Sequence, residues 1–412
     1  MKKTISLGTT IFICLLCCVM TFVATYSISS VIFKTPDDNA SGDASQNNSD
    51  TSEVNSELYD KLLELDKLVR SLYIKGIDED YLSDYVMTGY IAGLDDKYST
   101  YYSADSMASY LAAMNSKLVG IGVYVVYDED IGGIYITGIM EDSPALDAGL
   151  SAGDVITSVE GIAVTASTYN QAVLAVKGEI GDKRVITVKR APDYSAEETI
   201  TVTLRQVTET TVTYDLINGN IAYIKISQFN TPTSGEFAAA LENAKQDSAK
   251  YYIFDVRGNP GGNLTAITEV LDMLLPEGPI VRIESADGKE QIKTSDEEHR
   301  LDAPMAVLIN GSTASAAELF TSALRDYEKA TSIGTNTFGK GTMQTVYQLS
   351  DGSGVVLSTN LYNPPYGDNY EGVGIAPDIE VTLTKQQQDN FYKLTYEEDP
   401  QLQKAILILT NE

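Results

Sequence analysis

The residue type and the sequence setting of Ser315 suggest that it could take part in catalysis. It follows an apolar run in the stretch NGSTASAAELF and precedes Glu318 by three residues. That spacing is typical of a capping box, in which the serine closes the start of a helix and the glutamate reaches back to it. A turn from strand to helix is also where some hydrolases expose a nucleophilic serine. The local sequence leaves both interpretations open.

Lys340 stands between two glycines in the stretch GTNTFGKGTMQTV. The stretch nearly matches a phosphate-binding loop, but Gly341 replaces the serine or threonine needed for magnesium, and a strand-like pattern follows instead of a helix. We therefore set a phosphate-binding loop aside. On an extended chain Lys340 and Gln344 face the same side, so the glutamine oxygen could accept a hydrogen bond from the lysine. An exposed loop lysine is the alternative.

The composition restricts which base could activate a serine. A hydrolytic serine needs a group that removes its proton. The only histidine, His299, lies in the polar run TSDEEHRLD, so a serine–histidine–aspartate triad is not expected. A lysine can act as the base if burial lowers its pKa from about 10.4 to roughly 7 or 8. If Ser315 is a nucleophile, we expect Lys340 to be its base and to be buried.

The glycine-rich stretch DVRGNPGG, at residues 255–262, follows another apolar run. Glycines let the backbone approach a ligand closely, and amides at a helix start can donate to negative charge. The amide of Ala316 would point at an oxyanion formed on a carbon that Ser315 attacks. A plain tight turn is the alternative interpretation of the glycines.

Cysteine and histidine usage excludes several other kinds of site. All three cysteines (Cys14, Cys17 and Cys18) lie in an N-terminal apolar stretch, so the remaining sequence offers no disulfide and no cysteine nucleophile. A single histidine excludes a zinc site built on several. We expect no metal and no cofactor. The net charge of −29 also argues against nucleic acid as a partner, because like charges repel.

The elements that must position these stretches alternate along the second half of the chain. Apolar runs such as KYYIFDV and MAVLI alternate with helical patterns such as NLTAITEVLDMLL, which predicts an α/β core with a parallel sheet. Before this core, short strands and two helices predict a small α+β module at about 117–206.

The N-terminal residues predict a membrane anchor. Lys2 and Lys3 precede an uncharged stretch at 5–33 that is long enough to span a bilayer, and we find no convincing signal-peptide cleavage site. A single transmembrane helix would leave residues 1–4 in the cytoplasm as a stub, use the lipid bilayer as a partner and place the catalytic part outside the cell membrane. Residues 34–56 are typical of a disordered acidic linker.

A helical N-terminal segment is predicted at 57–116. Its first helix places five apolar side chains on one face, at alternating spacings of four and three residues: Leu58, Leu62, Leu65, Val69 and Leu72. This seam either packs on the next predicted helix, around residues 81–94, or pairs with a second copy of the chain as a homodimer. Two heptads are too few to decide.

Taken together, these motifs resemble those of the carboxy-terminal processing peptidases, also called tail-specific proteases. LDDKYSTYYS at 94–103, GIGV with SPALDAGLSAGDVITSVEG, then DVRGNPGG, STASAAE and FGKGTMQ occur in the family's order. The resemblance implies a crotonase-like α/β protease core at 207–385, an inserted α+β PDZ domain at 117–206 and a C-terminal helical tail at 386–412.

The resemblance also implies roles for individual residues. The family's serine–lysine dyad and its supporting glutamine correspond to three residues: Ser315, Lys340 and Gln344. The oxyanion donors correspond to the amides of Ala316 and of one glycine in the NPGG turn, Gly262 or alternatively Gly261. The family's PDZ domain receives the terminal carboxylate of a substrate tail on a loop that corresponds to Gly120, Ile121, Gly122 and Val123.

Two departures from the family pattern concern geometry and specificity. Pro260 stands where the family usually has asparagine or glycine, which leaves the oxyanion geometry open. The segment YNPPYGDNY differs from the sequence that the family usually has at this place. We expect a serine endopeptidase that acts on proteins or peptides with free, unstructured C-terminal tails. A silent tail-binding protein and a crotonase-type acyl-CoA enzyme are the rival interpretations.

Overall fold

The chain forms a helical N-terminal segment, then a small β-rich module, then a larger α/β core. The computed structural model describes residues 56–114, 117–296 and 301–410. The N-terminal segment contains four elements: α1 (Ser56–Leu72), α2 (Glu79–Ala92), β1 (Thr100–Tyr102) and α3 (Ala104–Met114).

The fold class predicted from the sequence included a transmembrane helix, and that part of the prediction is wrong. No helix within residues 56–114, 117–296 and 301–410 combines the length and apolar character needed to cross a bilayer. The longest of these helices, α1, has 17 residues and carries charged side chains on every turn. The stub at 1–4, the stretch 5–33 and all but the last residue of the linker at 34–56 lie outside the described residues.

Helices α1 and α2 leave much of the predicted apolar seam exposed within the described residues. Neither helix has a buried residue, and Leu65 and Leu72 on the seam are 57% and 77% exposed. The two helices are joined by Arg70, whose guanidinium donates to both carboxylate oxygens of Glu79 at 2.6 and 2.9 Å. The seam therefore does not pack on the following helix.

The β-rich module contains eight strands and two helices. They are β2 (Lys117–Gly120), β3 (Val123–Asp128), β4 (Gly133–Ile139), α4 (Pro144–Asp147), β5 (Val155–Val159), β6 (Ile162–Ala163), α5 (Tyr169–Ala175), β7 (Lys183–Lys189), β8 (Glu197–Thr203) and β9 (Arg205–Thr208). The main sheet has the order β3-β4-β5-β7-β8, so β3 is an edge strand. Strands β2 and β9 pair where the chain enters and leaves the module.

The core begins at residue 212. Its strands are β10 (Val212–Ile217), β11 (Ile221–Ile226), β12 (Tyr251–Asp255), β13 (Gly278–Ser285), β14 (Glu290–Ser295), β15 (Met305–Ile309), β16 (Ala330–Gly334), β17 (Thr342–Gln348), β18 (Gly354–Asn363) and β19 (Ile379–Glu380). Its helices are α6 (Thr233–Gln246), α7 (Leu264–Asp272), α8 (Ala316–Asp326), α9 (Lys385–Asp389) and α10 (Pro400–Thr410), with a 3₁₀ turn at Phe391–Lys393.

The central sheet of the core is covered on both faces. Its order is β10-β11-β12-β15-β16-β19, and every pair after β10-β11 is parallel. Phe254 and Val307 face helices α7 and α8, whereas Ile253 and Leu308 face α10 on the other side. Because both faces are buried, these strands are continuously apolar rather than alternating.

A buried ion network joins the C-terminal helix to the sheet. The Arg257 guanidinium contacts Asp255 at 2.6 Å and Asp399 at 2.7 Å, and all three side chains are buried. It also donates to Gln401 at 2.8 Å. Burial alone would raise the pKa of the Asp255 carboxyl, but the charge and hydrogen bonds of Arg257 lower it below its usual range.

The same C-terminal segment contacts the β-rich module. The ring of Phe391 lies 4.7 Å from the guanidinium carbon of Arg257. Two residues further on, Lys393 Nζ lies 2.7 Å from the carboxylate of Asp128, at the end of β3. The segment therefore touches both the module and the turn that follows β12.

Removing the arginine of this network is expected to destabilise the core. Arg257→Met leaves two buried carboxylates without their cation, which costs about 3–5 kcal/mol of unfolding free energy. Arg70→Met, which removes an exposed arginine that also contacts two carboxylates, serves as the control and should change stability little. Urea unfolding followed by circular dichroism measures both variants. Equal stability of the two would contradict the importance of the buried network.

Candidate active site

Three adjacent parallel strands deliver the three motifs to one edge of the central sheet. The glycine-rich turn follows β12, the serine turn follows β15 and the lysine loop follows β16. These strands are direct neighbours in the order β12-β15-β16. The carboxyl ends of neighbouring parallel strands meet at one edge, where open α/β sheets place their ligand sites.

Ser315 occupies a strained turn between β15 and α8. Its backbone angles are φ 57° and ψ −117°, a conformation that is rare for a residue with a side chain. The side chain is fully buried, and Oγ makes no hydrogen bond within the described residues. The hydroxyl therefore lies at a strained strand-to-helix turn without a hydrogen bond of its own in the part of the chain that the structure describes.

The carboxylate of Glu318 accepts the capping-box hydrogen bond from the serine turn and also binds the lysine loop. Its Oε2 accepts from the amide of Ser315 at 2.8 Å and from the amide of Lys340, also at 2.8 Å. Its Oε1 accepts from the amide of Gly339 at 2.7 Å and from the hydroxyl of Thr337 at 2.5 Å. Burial raises the pKa of Glu318, and these hydrogen bonds act in the opposite direction. One carboxylate thus holds the serine turn and the lysine loop together.

Lys340 is fully buried beside the serine turn. Burial lowers its pKa to about 7, although the carboxylates of Glu371, Asp96 and Glu318 favour the charged form. Lys97 adds a smaller effect in the same direction as burial. At neutral pH a large fraction of the lysine is therefore the free amine, which is the form that can accept a proton.

Gln344 lies on β17, next to the lysine loop, and is also buried. Its amide nitrogen donates to Ser358 Oγ at 3.1 Å and to Thr342 Oγ1 at 3.2 Å. Its amide oxygen has no hydrogen-bond partner within the described residues. The expected Lys340–Gln344 hydrogen bond is therefore not formed here, and neither is one between Lys340 and Ser315 Oγ. Catalytic hydrogen bonds often close only when substrate binds.

The glycine-rich turn lies directly against the turn that carries Ser315. A Cβ atom placed on Gly261 would lie 2.8 Å from the oxygen of Ala314 and 2.9 Å from the amide nitrogen of Ala316. The amide of Gly261 already donates to Asn259 Oδ1 at 2.8 Å. The amide of Gly262 makes no such bond within the described residues, so Gly262 is the better placed of the two predicted oxyanion donors.

The predicted carboxylate loop lies at the mouth of the β-rich module, between β2 and β3. The carbonyls of Ile121 and Gly122 accept from Ala145 and Met140 at 2.8 and 3.0 Å, which fixes the loop. Gly122 has φ +78°, and a Cβ there would lie 2.4 Å from Ser143 Cβ. The loop, completed by Gly120 and Val123, leads into the edge strand β3, where an extended peptide can add as a further strand.

The comparisons with known proteins agree with this arrangement. Residues 220–381 match the model of Peptidase family S41 and residues 119–204 match that of the PDZ domain. The carboxy-terminal processing protease CtpA of Bacillus subtilis is 32% identical over 326 residues, which cover 79% of this chain and 69% of that protein. The chain belongs to peptidase family S41.

One further relative supports this placement, and one solved structure supports the fold. A Staphylococcus epidermidis protein named "Probable CtpA-like serine protease" is 32% identical over 321 residues, covering 77% of this chain and 64% of that protein's length. A solved S41 protease structure from Bacteroides fragilis has a TM-score of 0.56 at 17% identity, covers 82% of this chain and 93% of its own, and supports the fold alone. The chain thus spans less than two thirds of the length of the Staphylococcus epidermidis relative. The resemblance seen in the motifs is confirmed.

Sequence reasoning missed several residues of this S41 site. Tyr98 lies with its ring centroid 4.6 Å from Lys340 Nζ, and Glu371 accepts from the amide of Gly341 at 2.7 Å. The motif around 94–103 was the only signal for Tyr98. His299 lies outside the described residues. Where the structure describes the chain, no group of three or more histidine, cysteine, aspartate or glutamate side chains is placed to hold a metal.

Two glycines of the same turn give a matched test of the S41 site. Gly261→Ala forces the serine turn to move, because the new Cβ meets backbone atoms at 2.8–2.9 Å and the residue has φ +103°. Because the amide of Ala316 moves with the serine turn, we expect kcat to fall by about 100-fold, the effect of losing one oxyanion donor.

The control is Gly258→Ala in the same turn. That residue also has a positive φ, but its added Cβ meets no atom within 4 Å. We expect its kcat to stay within a few-fold of the parent. Similar kcat values for the two variants, measured on one peptide substrate, would refute the close contact between the turns.

Proposed function

We propose that this chain is an endopeptidase that captures the free C-terminal tail of a protein or peptide and cleaves it with Ser315 and Lys340. The observation that carries the proposal is that a buried serine hydroxyl, without a hydrogen bond among the described residues, and a buried lysine lie on loops that follow neighbouring strands. Both residues are held by the carboxylate of Glu318. A nucleophile and a base of suitable pKa on adjacent loops suit acyl transfer.

The proposed reaction proceeds through an acyl-enzyme. The neutral amine of Lys340 removes the proton from Ser315 Oγ as that oxygen attacks the scissile carbonyl carbon. The resulting oxyanion accepts from the amides of Ala316 and Gly262. The Lys340 ammonium then donates its proton to the departing amine, and the peptide bond breaks. Lys340 then removes a proton from water as the water oxygen attacks the ester carbon, the bond to Ser315 Oγ breaks, and the Lys340 ammonium returns the proton to Oγ.

Substrate capture is proposed to take place on the PDZ domain. The amides of the loop from Gly120 to Val123 would receive the terminal carboxylate, and the tail would pair with the edge strand β3. Helix α5 lies beside this strand, since the rings of Tyr127 and Tyr169 meet with centroids 5.7 Å apart. A binding mode that depends on main-chain bonds and a free carboxylate would accept many tail sequences.

We also propose that the peptidase acts outside the cytoplasm. Support comes from Lys2 and Lys3 ahead of a long uncharged stretch, which is typical of export, and from the lack of cysteine in residues 57–412.

A homodimer through the N-terminal helices is part of the proposal. The seam on α1 has the spacing of a short coiled-coil interface, and two of its five apolar side chains, Leu65 and Leu72, are more than half exposed. A soluble surface rarely leaves such a stripe open without a partner. A second copy of α1 offers the same spacing and is self-complementary.

The dyad predicts a specific dependence of activity on pH. Because only neutral Lys340 can accept the proton, and its pKa is about 7, kcat/KM should rise as the pH passes that value and then level off. Ser315→Ala and Lys340→Ala should each remove nearly all turnover, and Lys340→Arg should do the same because a guanidinium stays protonated.

His299→Gln is the control for this profile, since a histidine also titrates near neutral pH. We expect the variant to keep the ionisation. Loss of the ionisation in His299→Gln, together with turnover by Lys340→Arg, would refute the dyad.

Carboxylate capture predicts that a free C-terminus matters for binding. A peptide with an amidated C-terminus should bind the Ser315→Ala protein at least about tenfold more weakly than the same peptide with a free carboxylate. The full-length inactive protein keeps cleavage from obscuring the measurement, which fluorescence anisotropy can provide. Equal affinities would exclude a role for the carboxylate.

The dimer predicts a change in mass when the seam is charged. Light scattering should give twice the 44.7 kDa of one chain for the parent protein and a monomer for Leu65→Glu. Leu146→Glu changes a similarly exposed leucine on the PDZ domain and should leave the mass unchanged. A monomeric parent protein at micromolar concentration would argue against the dimer.

A further inference from the structure

The turn before β1 lies over the catalytic lysine, although the proposed reaction gives it no task. We propose that Tyr98 is a positioning residue for Lys340, whose ring forms the wall that keeps water from the lysine amine and holds Nζ in place. This inference rests on the proposed role of Lys340 as the base.

The ring, rather than the hydroxyl, makes the contact. Lys340 Nζ lies 4.6 Å from the centroid of the Tyr98 ring, and Lys97 Nζ lies at the same distance from it. The Tyr98 hydroxyl is buried and interacts with the carboxylate of Glu371, not with the lysine amine. The structure therefore uses the side chain as a flat apolar surface against an amine.

The backbone of the turn is fixed to the core. Asp96 accepts from the amide of Tyr98 at 3.0 Å and from Ser99 Oγ at 2.5 Å. Ser99 Oγ in turn accepts from the amide of Ser358 at 3.0 Å. Strand β1, which follows immediately, pairs with β18 in antiparallel register, Thr100 opposite Val356. Tyr98 is thus held by a strand of the core and not by a free loop.

The same contacts connect the turn to Gln344. Ser358, whose amide holds Ser99, accepts from the Gln344 amide nitrogen through its own Oγ at 3.1 Å. On the other side Lys97 lies 3.6 Å from Glu371, the carboxylate that holds the amide of Gly341. The residues on both sides of Tyr98 therefore contact the partners of the lysine loop.

The charges around Lys340 predict whether loss of the Tyr98 ring should raise or lower the pKa of the lysine. Its surroundings contribute Asp96 and Lys97 from the turn, Glu318 from α8 and Glu371 from the loop after β18. The three carboxylates favour the ammonium, and burial, which prevails, favours the amine. Removing the ring admits water and weakens burial while the carboxylates stay, so the pKa of Lys340 should rise toward its ordinary value.

The test compares Tyr98→Ala, Tyr98→Gln and Tyr98→Phe in the full-length chain. We expect the first two to move the midpoint of the kcat/KM profile up by about one pH unit or more, and to lower activity at pH 7 at least about tenfold, with recovery at alkaline pH. Tyr98→Phe keeps the ring and should behave as the parent. Tyr101→Ala, which removes a nearby tyrosine of β1, should leave the midpoint unchanged.

A second readout does not depend on turnover. In the Ser315→Ala protein, NMR titration of the Lys340 side chain, assigned by its loss in Lys340→Arg, should give a higher pKa when Tyr98 is alanine or glutamine. An unchanged pKa and an unchanged midpoint in both variants would overturn the role of Tyr98. A raised Lys340 pKa in a protein without Lys340-dependent turnover would support the contact and refute the proposed reaction instead.

Discussion

The geometry of this active site depends on one buried carboxylate, that of Glu318. Two loops from neighbouring strands have no regular secondary structure to hold them in register at the sheet edge. Glu318 accepts four hydrogen bonds, one from the serine turn and three from the lysine loop. Burying a carboxylate costs free energy unless its oxygens accept hydrogen bonds. A shift of either loop would break some of these hydrogen bonds and destabilise the structure. The serine turn and the lysine loop are held next to each other for this reason.

Two opposing effects, nearby carboxylates and burial, set the pKa of Lys340 and therefore its protonation. Three carboxylates around the lysine favour its charge, and a strongly acidic chain would by itself raise its pKa. Burial reverses that preference because an ammonium loses its hydration when it is enclosed. The fold supplies the enclosure with elements that are distant in the chain: the turn at Tyr98, the helix start at Ser315 and the loop at Glu371.

The C-terminal residues connect the two halves of the described molecule. Asp399 neutralises Arg257, which stands at the start of the glycine-rich turn, while Lys393 pairs with Asp128 of the PDZ domain. Phe391 lies on the face of the same guanidinium. The segment between the last strand and the last helix is therefore structural support for the catalytic turn as well as the contact surface of the PDZ domain.

The amino-acid sequence by itself determined the family, the α/β alternation and the motif that carries each of Ser315, Lys340 and Gln344, because these depend on residue types and local periodicity. It could not decide between a cap and a nucleophile, since both use a glutamate three residues later. Only the tertiary structure shows that Ser315 has a positive φ and that Glu318 accepts hydrogen bonds from two loops at once. The tertiary structure alone also shows three further contacts. The Gly261 amide donates to Asn259, Lys340 is buried under Tyr98, and Arg257 forms an ion pair with Asp399. Each of these is a contact between residues from different turns or distant segments, and local sequence patterns carry no information about which segments meet.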